Sequence, residues 1–435
     1  MGDIAKIMQY QLRYLDGFTD FHEMQKHLWT LQQHTREIMN KTIQEAYAWD
    51  YRSNKNRDKT GNYLDVLTET GYKRLDGYIY NILKIPYSDM ASKNLSSTLR
   101  RAWQKYTSNR KDIFAGKMSL PSYREDQPLI INPKNVKLSG DGREAIAEII
   151  LFSTNFKKQN GLKSNVRYQI LLHDKTQRSI MEALFAGDYK LGECQIVYRK
   201  KKWFLYLTYI HEAHQHLLNP DKILGVNLGE SVAIYASSLG HYGSLKIEGD
   251  EVVAYDAQLE KRRRALQHQA KYCGDGRFGH GRKTRVAPVY EVGDRMASFR
   301  DTINHRYSKK LIDYAVKNGY GAIQMENFTV IKANTGYPKM LRHWTYYDLQ
   351  SKIKAKAAEH GITVTMIDPK YTSQRCSKCG HISKENRPSQ ERFHCTSCDF
   401  ESNADFNASQ NISIKGIESI ISKAIKCEDE AGEES

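Results

Sequence analysis

The stretch CSKCGHISKENRPSQERFHCTSCDFESNAD, residues 376–405, contains two Cys-x-x-Cys pairs with fifteen residues between them. This spacing is typical of a structural zinc site, in which four thiolates close a tetrahedron around the ion. Such an ion stabilises a small fold and does no chemistry itself. We therefore predict a zinc ribbon over residues 370–404. Its expected ligands are Cys376, Cys379, Cys395 and Cys398.

The segments on both sides of the ribbon alternate between strand-like and helix-like patterns. Three β-rich runs follow residue 217 and predict an antiparallel meander, with a turn before them at NPDK, residues 219–222. The whole order is β-β-β-α-β-α-β-α, which is that of an RNase H-like fold. The expected strands are 222–228, 231–236, 244–253, 321–326 and 363–367, and the expected helices are 254–272, 292–318, 346–360 and 404–426.

Two acidic residues fall where an α/β sheet places its ligand-binding groups. Glu326 ends the strand GAIQME, and Asp405 lies in the first turn of the last helix. A third carboxylate is expected on the first strand of this fold, but GVNLGE has Asn227 there. Three converging acids would hold Mg²⁺ for two-metal phosphodiester hydrolysis. Because an amide offers one neutral oxygen, the sequence predicts weaker Mg²⁺ binding and severely impaired strand cleavage.

The N-terminal half of the chain has two textures. Residues 21–114 show helical periodicity with basic and aromatic residues and predict a basic helical lobe. Residues 115–217 contain alternating β-branched runs such as KWFLYLTYI and predict a β-rich domain. The strand-like residues 1–20 are candidates to pair with that domain, which would make the helical lobe an insertion, and the sequence leaves this pairing open. The predicted fold class is multidomain α+β.

The composition favours a polyanionic partner. The chain has 66 Lys and Arg against 50 Asp and Glu, a formal net charge of +16, which is typical of nucleic-acid binding rather than of a small acidic ligand. No apolar stretch approaches the roughly 18 residues that span a bilayer, and the N-terminus lacks the apolar core of a signal peptide. We expect a cytosolic protein with no membrane partner.

Basic residues are densest between residues 261 and 285, on a predicted helix and a glycine-rich loop at 274–285. They are candidates for a surface that follows a phosphate backbone, although a solvated helix face would show the same pattern. Tyr371 beside Arg375 is a further candidate for contacts with bases. The candidates for nucleic-acid binding are Arg262, Arg263, Arg264, Lys271, Arg277, Arg282, Lys283, Arg285, Tyr371 and Arg375.

Together these motifs resemble the miniature type V-F CRISPR effector nucleases, compact Cas twelve-type relatives of the transposon-encoded TnpB proteins. The resemblance runs from LQQHTREIMNKTIQEAYAW through GHGRKTR, GAIQMENFT and IDPKYTSQRCSKCG to NADFNASQNI. It implies a RuvC nuclease with the triad Asn227, Glu326 and Asp405, where the family pattern has Asp at the first position. The implied domains are a wedge of β-barrel type at 1–20 and 115–217, a recognition lobe at 21–114, RuvC at 218–369 and 405–435, and a target-nucleic-acid-binding zinc ribbon at 370–404.

The resemblance also implies an activity and its partners. These are a guide RNA, a homodimer around it, Mg²⁺-dependent cleavage of double-stranded DNA beside a T-rich motif, and collateral cutting of single strands, in antiviral defence or genome editing. Two explanations of the asparagine at position 227 fit: an isosteric change made by an experimenter to trap an uncleaved complex, or a protein that binds its target and is naturally silenced for cleavage. The rival hypotheses are a nuclease-dead RNA-guided repressor and a TnpB-like transposon nuclease that acts as a monomer.

Overall fold

The computed structural model describes residues 2–16, 20–53, 64–141, 144–162, 165–229, 232–241, 243–272, 282–327, 346–368 and 370–433. The chain forms two compact units, Asp3–His211 and the part that begins at Glu212. Within the described residues, no helix is long and apolar enough to cross a membrane.

The N-terminal unit is built on one eight-stranded sheet. Its strands are β1 (Asp3–Asp16), β2 (Leu129–Ile131), β3 (Val136–Gly140), β4 (Ala145–Ile149), β5 (Val166–Leu171), β6 (Lys190–Leu191), β7 (Cys194–Arg199) and β8 (Lys202–Glu212). The order is β2-β7-β8-β1-β5-β4-β3, and β6 pairs with β8. The N-terminal strand therefore lies inside the sheet, between β8 and β5. Residues 21–114 are an insertion between two strands of this sheet.

The described residues of that insertion form four helices: α1 (Phe21–Ser53), α2 (Leu64–Thr70), α3 (Leu75–Lys84) and α4 (Ser92–Phe114). The fully buried Asp50 of α1 accepts hydrogen bonds from Tyr106 Oη and, at 2.7 Å, from Arg110 Nε, both on α4. A buried carboxylate is tolerated when such donors satisfy it, so this cluster joins the two long helices specifically.

Two helices lie within the described part of the region that was predicted to be β-rich. These are α5 (Thr154–Gln159) and α6 (Lys175–Ala186). Ser153 and Asp174 accept backbone N–H bonds as their N-caps, and α6 ends at Gly187 with φ of 83°. The sequence analysis did not predict these two helices, because their capping signals are single residues, whereas the β-branched composition is spread over the whole stretch.

The second unit contains a five-stranded mixed sheet. Its elements are β9 (Asn219–Asn227), β10 (Val232–Ser237), β11 (Ser244–Glu248), α7 (Asp250–Tyr272), α8 (Arg282–Lys317), β12 (Tyr320–Glu326), α9 (Tyr346–Glu359), β13 (Thr363–Ile367), β14 (Arg392–His394), β15 (Glu401–Asn403), α10 (Ala404–Ile412) and α11 (Ile417–Glu433). The sheet order is β11-β10-β9-β12-β13. The first three strands are antiparallel, and β9, β12 and β13 are parallel. The predicted order of elements is present.

Four local predictions in this unit were wrong. The strand predicted over residues 244–253 ends at Glu248, because Asp250 and Glu251 begin α7, where acidic side chains favour a helix N-terminus. Residues 219–222 extend β9 instead of forming a turn, because Pro220 lies near the strand's start, where a missing N–H is tolerated. Helix α8 begins ten residues before the predicted start, since the apolar periodicity marks only the part that is buried, from Val292 onwards. The last predicted helix is divided between Ile412 and Ile417, where Gly416 adopts φ of 71°.

Helix α10 packs against β9 with almost no space between the two backbones. A Cβ atom on Gly225 would lie 2.0 Å from the Ser409 carbonyl oxygen and 2.4 Å from the Ser413 backbone nitrogen. On the neighbouring strand β10, the Ser237 hydroxyl oxygen lies 2.5 Å from the hydroxyl oxygen of Ser409 in α10. This contact fixes the N-terminus of α10, and therefore Asp405, beside the end of β9.

Gly225→Ala should destabilise the protein by about 3 kcal/mol because the added methyl meets backbone atoms that cannot rotate away. The expected result is a lower midpoint of thermal unfolding. Gly293→Ala is the matched control, because Gly293 lies exposed in α8 with no atom within 4 Å of the added carbon, and it should stabilise by roughly 1 kcal/mol. An unchanged midpoint for Gly225→Ala would contradict the close packing.

Candidate metal centres

Asn227 and Glu326 lie side by side at the carboxyl ends of two neighbouring strands inside the five-stranded sheet. Strands β9 and β12 are parallel and pair Val226 with Met325, so the next residue on each strand is the candidate site residue. Residues in matching register on neighbouring parallel strands project to the same face. Ligands of α/β sheets bind at this carboxyl edge, so the sheet itself brings these two side chains together.

Asp405 joins them from the first turn of α10. Asn403 caps this helix, and its Oδ1 accepts bonds from the Asp405 and Phe406 backbone N–H groups at 3.0 and 3.1 Å. Asn227 Nδ2 donates to Asp405 Oδ1 at 3.0 Å. The reverse orientation of the amide would place two oxygen acceptors against each other, so the network requires this one. All three sequence-predicted residues therefore meet in one cluster.

The cluster has the electrostatics of a cation site. Burial raises the pKa of Glu326 to about 7, and the nearby charges of Asp368 and Asp405 add to the rise. Burial also raises the pKa of Asp405, against the opposing effects of Arg387 and the Asn227 amide. Two carboxyl groups with raised pKa values are electrostatically frustrated, and a divalent cation with oxygen preference relieves that frustration. Glu326 and Asp405 fit Mg²⁺, and Asn227 adds one neutral oxygen.

Sequence reasoning missed two polar residues of this cluster. Thr372 Oγ1 donates to Glu326 Oε1 at 2.6 Å. The positive charge of Arg387 opposes the rise in the pKa of both Glu326 and Asp405. Both residues come from the cysteine-containing segment. In the sequence, only their proximity to the Cys-x-x-Cys pairs marked these two residues. That proximity does not predict an interaction with Glu326 or Asp405.

The four cysteines form a second centre. Their sulfur atoms all lie within 4.8 Å of one another, with Cys376 and Cys398 at 3.8 Å and Cys379 and Cys395 at 3.5 Å. Sulfurs on a zinc tetrahedron with bonds of about 2.3 Å are about 3.8 Å apart, so the thiolates fit Zn²⁺ with little movement. This arrangement supports the prediction of a structural zinc site.

A small hairpin and one asparagine hold the two cysteine pairs together. Strands β14 and β15 pair antiparallel and place Phe393 in a core with Cys376 and Cys395. The fully buried Asn386 donates from Nδ2 to the Gln374 carbonyl at 2.9 Å and accepts at Oδ1 from the Thr396 N–H at 3.0 Å. The two halves of the ribbon are therefore joined by polar contacts as well as by the thiolates.

The residues predicted to bind nucleic acid have different placements. Arg262, Arg263 and Arg264 are exposed on α7, and the last two also pair with Glu260. Tyr371 is 40% exposed, whereas Arg375 is half-buried and donates from Nη1 to Asn411 Oδ1 at 2.8 Å. Lys271 lies in α7, and Arg277 lies outside the described residues. Arg282, Lys283 and Arg285 begin α8, which corrects their prediction as loop residues because the helix starts earlier than its buried face.

Comparison with known proteins assigns the segment with the cysteine pairs to a known domain family. The profile of the Cas12f1-like TNB domain matches residues 346–412, which include both cysteine pairs and Asp405. The Cas12f1 chain of a cryo-EM Cas12f1–sgRNA–target DNA complex superposes with a TM-score of 0.71 at 20% identity, over 91% of this chain and 83% of that one. The fold is thus that of a Cas12-type effector.

Two curated relatives are similar over nearly the whole length. The CRISPR-associated endodeoxyribonuclease Cas12f1 of Sulfoacidibacillus thermotolerans is 39% identical over 97% of this chain and 100% of its own. Its namesake in Syntrophomonas palmitatica is 32% identical over 97% of this chain and 90% of its own. The chain belongs to the Cas12f1 family, the miniature type V-F effectors related to TnpB.

Cys395→Ser should release the zinc ion, because three thiolates and a neutral hydroxyl no longer satisfy it. Elemental analysis of the purified protein should fall from about one zinc per chain to near zero. Ser397→Ala, at an exposed neighbouring position, should keep the zinc. Equal zinc content in the two variants would contradict the ligand assignment.

Glu326→Gln should stabilise the protein more at pH 8 than at pH 5. The pKa of Glu326 is about 7 in the folded chain against an ordinary 4.5, so the folded state keeps a proton that the unfolded state loses. The resulting stabilisation is complete below pH 4.5 and is lost as the pH rises to 7, and glutamine has no such loss. Thermal unfolding in buffer without Mg²⁺ or chelator measures this.

Glu291→Gln, which removes an exposed carboxylate from α8, is the matched control for that measurement. A gain from Glu326→Gln that is equal at the two pH values would mean that the pKa of Glu326 is not raised.

Proposed function

We propose that this chain is an RNA-guided DNA-binding protein with a RuvC-like nuclease centre that is impaired in strand cleavage. The observation that carries the proposal is the 3.0 Å hydrogen bond from Asn227 Nδ2 to Asp405 Oδ1. The amide donates a hydrogen bond to the carboxylate oxygen that a cation would need. The parent enzyme, with aspartate at position 227, would then be an RNA-guided DNA endonuclease. The names of the relatives support this activity.

The charge of the cluster explains the impairment. With aspartate at position 227, three carboxylates would face one another, and only divalent cations would hold them together. With Asn227, the amide hydrogen bond satisfies Asp405 without any ion. When bound, Mg²⁺ would activate water and stabilise the leaving oxygen of the phosphodiester. The protein's part is to hold Glu326 and Asp405 at the sheet edge and to keep them partly shielded from water.

The strand order β11-β10-β9-β12-β13 supports the RuvC assignment, because the acids of an RNase H-like sheet lie on its central strands and on a helix packed against them. We assign the RuvC-like domain to residues 218–369 and 405–435, the target-binding zinc ribbon to 370–404, the wedge to 1–20 and 115–217, and the recognition lobe to 21–114.

Guide RNA and target DNA are the proposed partners. The net charge of +16 and the exposed arginines of α7 suit a nucleic-acid backbone, and the solved structural neighbour is a complex with sgRNA and target DNA. Base pairing by the guide would supply sequence specificity, while the protein would bind the heteroduplex by its shape. The proposal includes a T-rich motif beside the target, collateral single-strand cutting by the parent enzyme, a homodimer on one guide, and action in the prokaryotic cytoplasm.

Two rival functions differ in observable ways. A naturally nuclease-dead repressor would bind guided targets in the same manner and would stay inactive after Asn227 is changed to aspartate. A TnpB-like nuclease would act as one chain per RNA. The mass of the protein–RNA particle separates one chain from two.

Asn227→Asp should restore cleavage of matched double-stranded DNA in the presence of guide RNA and Mg²⁺. The carboxylate replaces a donor with a charged metal ligand, and a gain of at least about 100-fold in cleavage rate is expected. The original chain should bind the same target without cutting it. The measurement is the rate of appearance of cut duplex under single-turnover conditions.

The doubly changed chain with Asn227→Asp and Glu326→Gln is the control, and it should remain inactive while binding the target. Failure of Asn227→Asp to cut at any Mg²⁺ concentration would overturn the nuclease assignment and favour the repressor. Cleavage by the control would show that the activity comes from elsewhere.

A further inference from the structure

Glu326 receives a hydrogen bond from the first turn of the ribbon. Thr372 is 1% exposed, and its hydroxyl donates to Glu326 Oε1 at 2.6 Å. Gln350 Nε2 donates to the backbone oxygen of Glu326 at 2.7 Å and so fixes the strand end. The Thr372 bond uses one lone pair of Oε1 and limits rotation of the carboxylate. The other carboxylate oxygen remains for a cation.

The backbone around Thr372 is fastened to α10 by two asparagines that are 0% exposed. Asn411 Nδ2 donates to the Thr372 carbonyl at 3.0 Å and to the Arg375 carbonyl at 2.6 Å. Asn407 Nδ2 donates to the same Arg375 carbonyl at 2.8 Å, and its Oδ1 accepts from the Ser377 N–H at 2.9 Å. Buried amides with satisfied partners specify one arrangement, because any shift leaves polar groups unpaired.

These contacts connect the acidic cluster with the zinc ligands over short stretches of chain. Asp405 lies on the helix that carries Asn407 and Asn411. Cys376 lies between Arg375 and Ser377, whose backbone groups both bond to the Asn407 side chain. The same turn therefore touches Glu326 on one side and continues into the zinc ligands on the other. Nothing in the zinc chemistry itself requires a hydroxyl at position 372.

We propose that Thr372 is a positioning residue, whose hydroxyl, held by the contacts of Asn407 and Asn411 with the ribbon, sets the orientation of the Glu326 carboxylate for binding a divalent cation. The inference rests on the proposed function of the acidic cluster. Outer-shell hydrogen bonds to metal ligands typically change metal affinity or activity by about 10- to 100-fold.

The test uses the full chain carrying Asn227→Asp, with one further change at a time. Thr372→Val removes the hydroxyl at constant volume, and Thr372→Ser keeps it. Thr396→Val makes the same chemical change at an exposed position in the other half of the ribbon. Affinity for Mn²⁺ alone, measured by electron paramagnetic resonance without nucleic acid, should fall about 10- to 100-fold for Thr372→Val. The serine and Thr396 variants should stay within about threefold of the parent.

Cleavage provides the second measurement. The Mg²⁺ concentration for half-maximal cleavage of a guided target should rise by the same factor for Thr372→Val, while target binding and zinc content stay unchanged. Unchanged Mn²⁺ affinity in Thr372→Val, or an equal loss in Thr372→Ser, would overturn the proposal. Loss of zinc by both Thr372→Val and Thr372→Ala would assign the hydroxyl to ribbon folding and overturn it too.

Failure of the proposed function gives a different result. A chain with Asn227→Asp that binds Mn²⁺ but cuts no DNA at any Mg²⁺ concentration contradicts the nuclease assignment, and Mn²⁺ affinity then still decides the role of Thr372.

Discussion

The packing of α10 on β9 at Gly225 is the constraint on which the second unit depends. Without a side chain at this position, the helix backbone approaches the strand closely enough to bring its first turn beside the end of β9. Asp405 then meets Asn227, while β12 supplies Glu326 from the neighbouring register. A helix held farther away would leave the three side chains too distant to share a cation, because a carboxylate ligand bridges only a few ångströms.

The same helix also anchors the ribbon. Its inner face carries Asn407 and Asn411, whose amides both donate to the Arg375 carbonyl. The cysteine segment is therefore one side of the acidic centre as well as a separate small fold. Its first turn touches Glu326 through Thr372. One element thus serves the stability of the ribbon and the geometry of the acids together.

Asn227 changes the balance of charge without changing the shape of the cluster. An amide and a carboxylate occupy almost the same volume, and the amide donates a hydrogen bond that stabilises Asp405. Desolvation raises the pKa of the half-buried Glu326 to about 7. The folded structure is therefore expected to tolerate asparagine well, because folding favours fewer uncompensated negative charges. The affinity for divalent cations should fall, because cation binding favours more negative charge.

The sequence by itself determined the features whose signals are local. Such patterns lie within a few residues of one another: the spacing of the cysteines, the alternation of strands and helices, the two acids at element ends, and an asparagine where a third acid was expected. The tertiary structure alone decided that β1 lies inside the first sheet, that Arg375 bonds to Asn411, and that Thr372 and Arg387 act on the acids. These contacts join residues tens of positions apart and leave no periodicity in the chain. Their existence depends on how close two backbones pack, as at Gly225, which hydrophobic patterns do not encode.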